Sequence, residues 1–195
     1  MGDILMSDQI YIYPTDTVWG IGASIFSRDA QEEIRAIKKT SPDKPMSVLF
    51  PGKNLLAHFI DYPVLWDDLF KLEVTFLIPM SWCKQEIPDW VAKGPYLGIR
   101  CLENDELKKI LEKEGAPITS TSLNLSGGGP ITSLDDAMAF QNNEANSAEL
   151  IHFKDHHMSG MSSTIVKVEE GNTYEIIRSG TNTSKVRDIL GLSAT

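Results

Sequence analysis

The chain reads as one α/β domain spanning residues 1–195, and three observations predict it. Short β-branched and aromatic runs alternate with segments of helical apolar spacing along the whole length. A chain of 195 residues, 42% hydrophobic and 23% charged, suits a single soluble core. Its net charge of −9 disfavours a stand-alone nucleic-acid binder, which needs a basic surface to neutralise phosphates. No run of about 18 apolar residues is present, so no transmembrane helix is expected. Asp3 and Asp8 near the start, without a basic apolar leader, argue for the cytoplasm. The two cysteines, Cys83 and Cys101, suit reduced thiols there better than a disulfide framework.

Residues 10–13 form the first strand, stopped by Pro14. Three small polar side chains follow, Thr15, Asp16 and Thr17. Val18 and Trp19 then return to the core, and Gly20 and Gly22 let backbone approach closely. Polar groups at a strand end suit a small-molecule site; a capped turn accounts for the same residues. Ser27 caps a helix from Arg28 to about Lys39, with Ala30, Ile34 and Ile37 at helical spacing. Residues 40–45 break it, and residues 46–50 make a second strand ended by Pro51 and Gly52. Lys38, Lys39 and Lys44 flank the break. They suit a polyphosphate as point charges, or serve as solvated cations at a helix C-terminus.

Two short helices are expected in residues 53–72, with Pro63 near the second start, and a strand at residues 75–78. The polar and aromatic stretch 82–93 reads as a surface excursion. Residues 96–100 form a strand that ends in the cation Arg100. Asn104 caps a helix over residues 105–114, stopped by Gly115. Residues 118–121 are strand-like, and the Ser/Gly-rich run to Pro130 is a loop. Its hydroxyls, glycines and successive N–H groups are ingredients of an anion cradle, although no Walker lysine follows. A flexible linker explains a bare Ser/Gly run equally well. Ser133 then caps a helix to about Phe140, residues 141–149 form a loop, and residues 150–153 a short strand. His152, Asp155, His156 and His157 read as loop residues rather than a metal site, because no Cys or well-spaced fourth ligand accompanies them. Residues 162–166 and 176–180 pair as a hairpin around Glu170-Gly-Asn172, with Tyr174 beginning the second strand. Ser184 opens a last helix to Leu190.

Five of these segments carry a resemblance. Pro14-Thr-Asp-Thr-Val-Trp-Gly-Ile-Gly-Ala23 resembles the opening motif of the YrdC-like threonylcarbamoyl-adenylate synthase family. Ser120-Thr-Ser-Leu-Asn-Leu-Ser-Gly127 is similar to that family's S-T-S-A-N-x-S-G signature, with Leu123 for the usual alanine. Gly98-Ile-Arg100 matches its G-V/I-R motif. Ser162-Ser-Thr-Ile-Val166 and Ile176-Ile-Arg-Ser-Gly180 match its last two strands. The resemblance covers nearly the whole chain and points to the short form of the family. It implies a twisted mixed β-sheet flanked by helices, with a concave site on one face.

It also implies synthesis of threonylcarbamoyl-AMP from L-threonine, bicarbonate and ATP with magnesium, releasing pyrophosphate. A downstream tRNA-modifying transferase would use the product, with weak or no direct tRNA binding by this chain. By the same resemblance, Thr17, Arg100, Ser120 and Ser163 would hold threonine. Lys44, Tyr96, Ser122, Pro130 and Arg178 would hold ATP, and Lys38, Ser122 and Asn124 would act in catalysis. Departures are visible. Thr40 stands where the family has an ATP-contacting arginine, and Leu49 where some members carry a histidine. Lys71-Leu-Glu73 replaces a Pro-Gly-Pro turn, so a different loop geometry is expected there. Lys39 or Lys44 is expected to supply the charge missing at Thr40. The alternative is a divergent paralogue that binds nucleotide or RNA without synthase activity.

Overall fold

A computed structural model describes residues 7–41, 43–153, 157–169 and 171–193. The order of elements is β1 (Tyr11–Pro14), β2 (Trp19–Gly22), α1 (Arg28–Lys38), β3 (Ser47–Phe50), α2 (Lys53–Phe59), α3 (Trp66–Leu69), β4 (Val74–Pro79), β5 (Tyr96–Cys101), α4 (Asp105–Glu114), β6 (Ile118–Ser122), α5 (Leu134–Glu144), β7 (Glu149–Leu150), β8 (Thr164–Glu169), β9 (Thr173–Arg178) and α6 (Thr183–Leu190). Among the described residues the strands form one nine-stranded sheet in the order β7-β1-β2-β6-β3-β5-β4-β8-β9. The sheet is mixed, as expected. β3 runs parallel to β5 and β4 to β8, whereas β6 pairs antiparallel with both β2 and β3.

The side-chain alternation of the strands builds apolar layers on both faces. On β1, Ile12 packs with α1 and α5 through Ile34, Ala137 and Phe140, while Tyr11 and Tyr13 face Leu107 and Ile110 of α4. The largest layer joins Val48, Phe50, Phe76 and Ile99 to Leu56, Trp66, Leu69 and Val186 from α2, α3 and α6. Helix starts follow their caps. The Ser27 hydroxyl accepts from the Ala30 N–H at 3.1 Å, and Asn104 Oδ1 accepts from Glu106 and Leu107 at 3.0 Å each. Such caps stabilise a helix by about 1 kcal/mol. α4 ends at Gly115, whose φ of 64° lies in the left-handed region.

Several boundaries differ from the sequence expectation. Residues 19–22 are a strand, which two glycines in four positions conceal. Gly22 is required there because a Cβ would lie 1.8 Å from the Thr119 carbonyl oxygen. The stretch 82–93 is not a surface excursion: Ile87, Val91 and Ala92 are buried against the large layer, and the Trp90 indole donates to the Ile25 carbonyl at 2.9 Å. α5 runs on to Glu144 through residues expected to be loop, because Ala145 still bonds back to the Gln141 carbonyl. β7 is only Glu149–Leu150 rather than residues 150–153. β8 starts at Thr164 and continues to Glu169, and β9 starts at Thr173. α6 begins at Thr183, after Asn182, rather than at Ser184. Glu170 of the expected hairpin turn lies outside the described residues. Where Pro-Gly-Pro was missing, Lys71 and Leu72 form a single tight turn and Glu73 takes φ 57°.

Candidate active site

The polar half of the sheet's inner face forms the floor of a cavity of about 510 Å³. Alternation puts Tyr96, Gly98 and Arg100 of β5 on one face, beside Ser120 and Ser122 of β6 and Thr75 and Leu77 of β4. Register aligns them further: Ser47 of β3 sits between Ser120 and Gly98. Gly98 has no room for a side chain, since a Cβ would lie 2.8 Å from the Ser47 hydroxyl. The remaining walls come from Thr15, Trp19 and Gly20, the stretch 44–46, Lys93 and Pro95, and Ser162, Ser163, Ile165 and Arg178.

Two guanidinium groups dominate the cavity. Arg100 is buried; it donates to the Thr17 hydroxyl at 2.9 Å and to the Asp16 carboxylate. These two bonds use two of its five N–H hydrogens. The Pro-Thr-Asp-Thr turn positions both acceptors, because the Thr15 hydroxyl accepts from the Val18 N–H and donates to the Val18 carbonyl at 2.6 Å. Arg178 donates from Nε to the Ser163 carbonyl and from Nη2 to the Ser163 hydroxyl, both at 3.0 Å. That hydroxyl also meets the Thr75 hydroxyl at 2.7 Å. Burial, and then the charge of Arg100, lower the pKa of Arg178 from its ordinary value. Like charges held together in this way favour an anion between them.

Lys44 and Lys93 add two more cations to the wall. Among the described residues no Asp or Glu lines the cavity, although the whole chain carries a net charge of −9. At the rim, Tyr96 donates to Glu169 at 2.7 Å, and the Lys167 ammonium lies 4.6 Å from the Tyr96 ring centre.

Lys38 is placed differently. It is buried behind the Ser/Gly-rich loop, and its ammonium donates to the Ser122 carbonyl, the Asn124 carbonyl at 2.9 Å and Asn124 Oδ1 at 3.0 Å. Asn124 Oδ1 also accepts from the Ser122 hydroxyl at 2.7 Å, and Asn124 Nδ2 donates to the Gly128 carbonyl. The run from Ser120 is therefore a fixed loop tied to the end of α1, not a linker. Burial, assisted by the Lys44 charge, lowers the Lys38 ammonium to a pKa of about 8.

Of the residues singled out from sequence, Lys44, Tyr96, Arg100, Ser120, Ser122, Ser163 and Arg178 line the cavity. Thr17 touches Arg100 from behind. Lys38 and Asn124 lie under the loop, and Pro130 is exposed beyond it. Lys39 turns away to Glu144 at 3.5 Å, so it adds no charge to the cavity. Sequence reasoning did not assign Asp16, Thr75 or Lys93. Asp16 stands inside the Pro-Thr-Asp-Thr turn, which is its readable signal; Lys93 has none, because its place at the cavity depends on how the stretch 82–93 packs. Burial pushes the Cys83 and Cys101 thiols up to about 11 and about 12, so neither is a ready nucleophile. His157 is exposed, while Asp155 and His156 lie outside the described residues. Among the described residues no group of three His, Cys, Asp or Glu side chains is placed to hold a metal ion, and no helix is long and apolar enough to cross a membrane.

Comparison with known proteins bears on the fold and the family. The chain is 27% identical over 141 residues to threonylcarbamoyl-AMP synthase of Haemophilus influenzae, covering 70% of this chain and 77% of that protein. It is 29% identical to the enzyme of the same name from Histophilus somni, over 68% and 75% of the two chains. The fold superposes on P. abyssi Sua5 complexed with L-threonine with a TM-score of 0.77 at 20% identity, over 94% of this chain. The chain spans only 54% of that longer protein. E. coli YciO superposes with a TM-score of 0.68 at 21% identity, over 89% of this chain and 84% of that one. A family model described as telomere recombination, the Sua5/YciO/YrdC domain, matches residues 3–180. With the match running through every strand of the cavity floor, the chain belongs to the Sua5/YciO/YrdC family.

Proposed function

We propose that the chain synthesises L-threonylcarbamoyladenylate from L-threonine, bicarbonate and ATP, releasing pyrophosphate. The observation that carries this reading is the cavity's charge: Lys44, Lys93, Arg100 and Arg178 face it without a carboxylate among the described lining residues. Each of the three substrates brings negative charge, and relatives 26–29% identical are named threonylcarbamoyl-AMP synthase.

Arg100 has N–H groups to spare for the threonine carboxylate, which a guanidinium grips in bidentate fashion. Thr17 holds that guanidinium in place, and Ser120 and Ser163 offer hydroxyls to the amino acid. Lys44 and Arg178 meet the triphosphate, with Tyr96, Ser122 and Pro130 towards the nucleoside. In the reaction the threonine amine adds to the bicarbonate carbon, and water leaves. A carbamate oxygen then attacks the α-phosphorus, and the bond to the β-phosphate breaks to release pyrophosphate. No side chain need form a covalent bond. The protein's contribution is to hold two anions in line against their repulsion and to stabilise charge as it moves to pyrophosphate. Lys38 and Asn124 act on this step through the loop they fix. The described wall offers hydroxyls and cations rather than carboxylates, so a magnesium ion would have to enter on the triphosphate, where it would neutralise phosphate charge.

The unstable mixed anhydride would pass to a tRNA-modifying transferase in the cytoplasm. Direct tRNA binding by this acidic chain would be weak or absent. The test is pyrophosphate release with each substrate omitted in turn. Release that requires both threonine and bicarbonate supports the synthase. Release without them, or none with all three present, overturns it.

A further inference from the structure

The cavity contains one cation that neither the recognised motifs nor the roles above explain. Lys93 lies in the segment before β5, and four contacts fix that segment. The Val91 carbonyl accepts from the Met46 N–H at 3.1 Å, the Trp90 carbonyl accepts from Arg35, and the Trp90 indole donates to Ile25. The Pro95 carbonyl accepts from the Met80 N–H at 2.7 Å. Gly94, at φ 100°, makes the turn that lets the chain pass from Lys93 into the strand bearing Arg100. A lysine between buried Ala92 and this turn is therefore a charge on a rigid mount beside Lys44.

The ammonium of Lys93 rests 2.9 Å from Asp43 Oδ1, in the loop that contains Thr40. Both partners are largely exposed, at 59% and 76%. An ion pair in that setting is weak and easily exchanged for a better anion. A polyphosphate carries several charges where Asp43 carries one. Thr40 is neutral, Lys39 is turned to Glu144, and Lys38 spends its hydrogens on the Ser122–Asn124 loop. Of the cations at residues 38–44, Lys44 alone thus reaches the wall. We infer that Lys93 binds the β- and γ-phosphates of ATP, leaving Asp43 as it does so, and supplies the charge that position 40 lacks.

This inference rests on the synthase reading, and the experiment separates the two. ATP, inorganic pyrophosphate and L-threonine are titrated by calorimetry into the wild type, Lys93→Ala, Lys93→Arg and Asp43→Asn. We expect Lys93→Ala to weaken both ATP and pyrophosphate by about tenfold or more, as loss of one charge-assisted contact implies. Threonine affinity and thermal unfolding should be unchanged, because the side chain is on the surface. Lys93→Arg should retain affinity, and Asp43→Asn should keep or raise it. Unchanged ATP affinity in Lys93→Ala overturns the inference while leaving the synthase reading intact. Weakened ATP with unchanged pyrophosphate overturns the assignment to phosphate. A wild type that binds no ATP overturns both.

Discussion

Arg100 on β5 donates to the hydroxyl of Thr17, 83 positions earlier in the chain, across 2.9 Å. That bond joins the strand-end turn of β1 to the cation at the far side of the cavity. Neither residue is usefully placed without the other: Thr17 fixes the guanidinium plane, and Arg100 gives the buried Thr17 hydroxyl its donor. Replacing Arg100 by lysine keeps the charge and loses the fork. Threonine affinity should fall by one to two orders of magnitude, roughly 1.4–3 kcal/mol, measured by calorimetry. An unchanged value would remove Arg100 from the site.

Asn124 is the hub of the Ser/Gly loop, with bonds to Lys38, Ser122 and Gly128. Asn124→Ala together with Ser122→Ala should cut adenylate formation at least about tenfold, since misplacing reacting groups by an ångström is that damaging. Global stability should fall far less, because the Ser122 and Asn124 side chains are only half-buried and the buried Leu123 between them still anchors the loop in an apolar layer. Parallel turnover and urea-unfolding measurements check this; a rate equal to wild type would make the loop a mere connection.

The lowered pKa of Lys38 makes a pH prediction with a definite sign. Below pH 8 the folded and unfolded chains both hold the Lys38 proton, and the burial penalty stands in full. Between pH 8 and the ordinary 10.5, the unfolded chain keeps a proton that the folded chain has shed, so this contribution to stability rises with pH. The total relief is on the order of 3 kcal/mol. Lys38→Met lacks it. The wild-type unfolding free energy minus that of Lys38→Met should therefore increase from pH 8 to pH 10.5. Synthesis should fall over the same range, as a neutral amine has two hydrogens for three acceptors.

Thr40→Arg tests the other side of the phosphate end. With Lys93 and Lys44 already at the cavity wall, the added guanidinium should change ATP affinity by less than about threefold at matched magnesium and salt. A gain of tenfold, about 1.4 kcal/mol, would mean that the charge is missing rather than supplied from elsewhere.

Gly22→Ala should destabilise the fold severely, by about 3 kcal/mol or more, because its Cβ meets backbone that cannot rotate away. Gly20→Ala should cost less, since its closest neighbour, at 3.1 Å, is the Tyr13 ring. Comparative urea denaturation separates the two.

Much of the molecule is local and therefore readable. Ser27, Asn104 and Gly115 mark helix ends through bonds to residues no more than four positions away, so the boundaries of α1 and α4 follow from composition. The apolar run before Pro14, the Ser-Thr-Ser-Leu-Asn run and the G-I-R strand end carry their chemistry in contiguous residues. What escaped depends on distant partners. β2 is a strand because Gly20 and Gly22 pair with β1 and Gly22 crowds against Thr119, a long-range packing demand that overrides weak propensity. Val91 and Ala92 are buried because a loop crosses the apolar layer, which no periodicity reports. The sequence alone determined the residue types of the site, a permanent fork at 100 and hydroxyls at 17, 120 and 163. Only the tertiary structure decided how each charge is used: Lys38 beneath the loop, Lys39 towards Glu144, Lys93 at the cavity wall. A side chain's composition sets what it can bond, but its direction depends on the backbone that carries it and on the neighbours that fill the space around it.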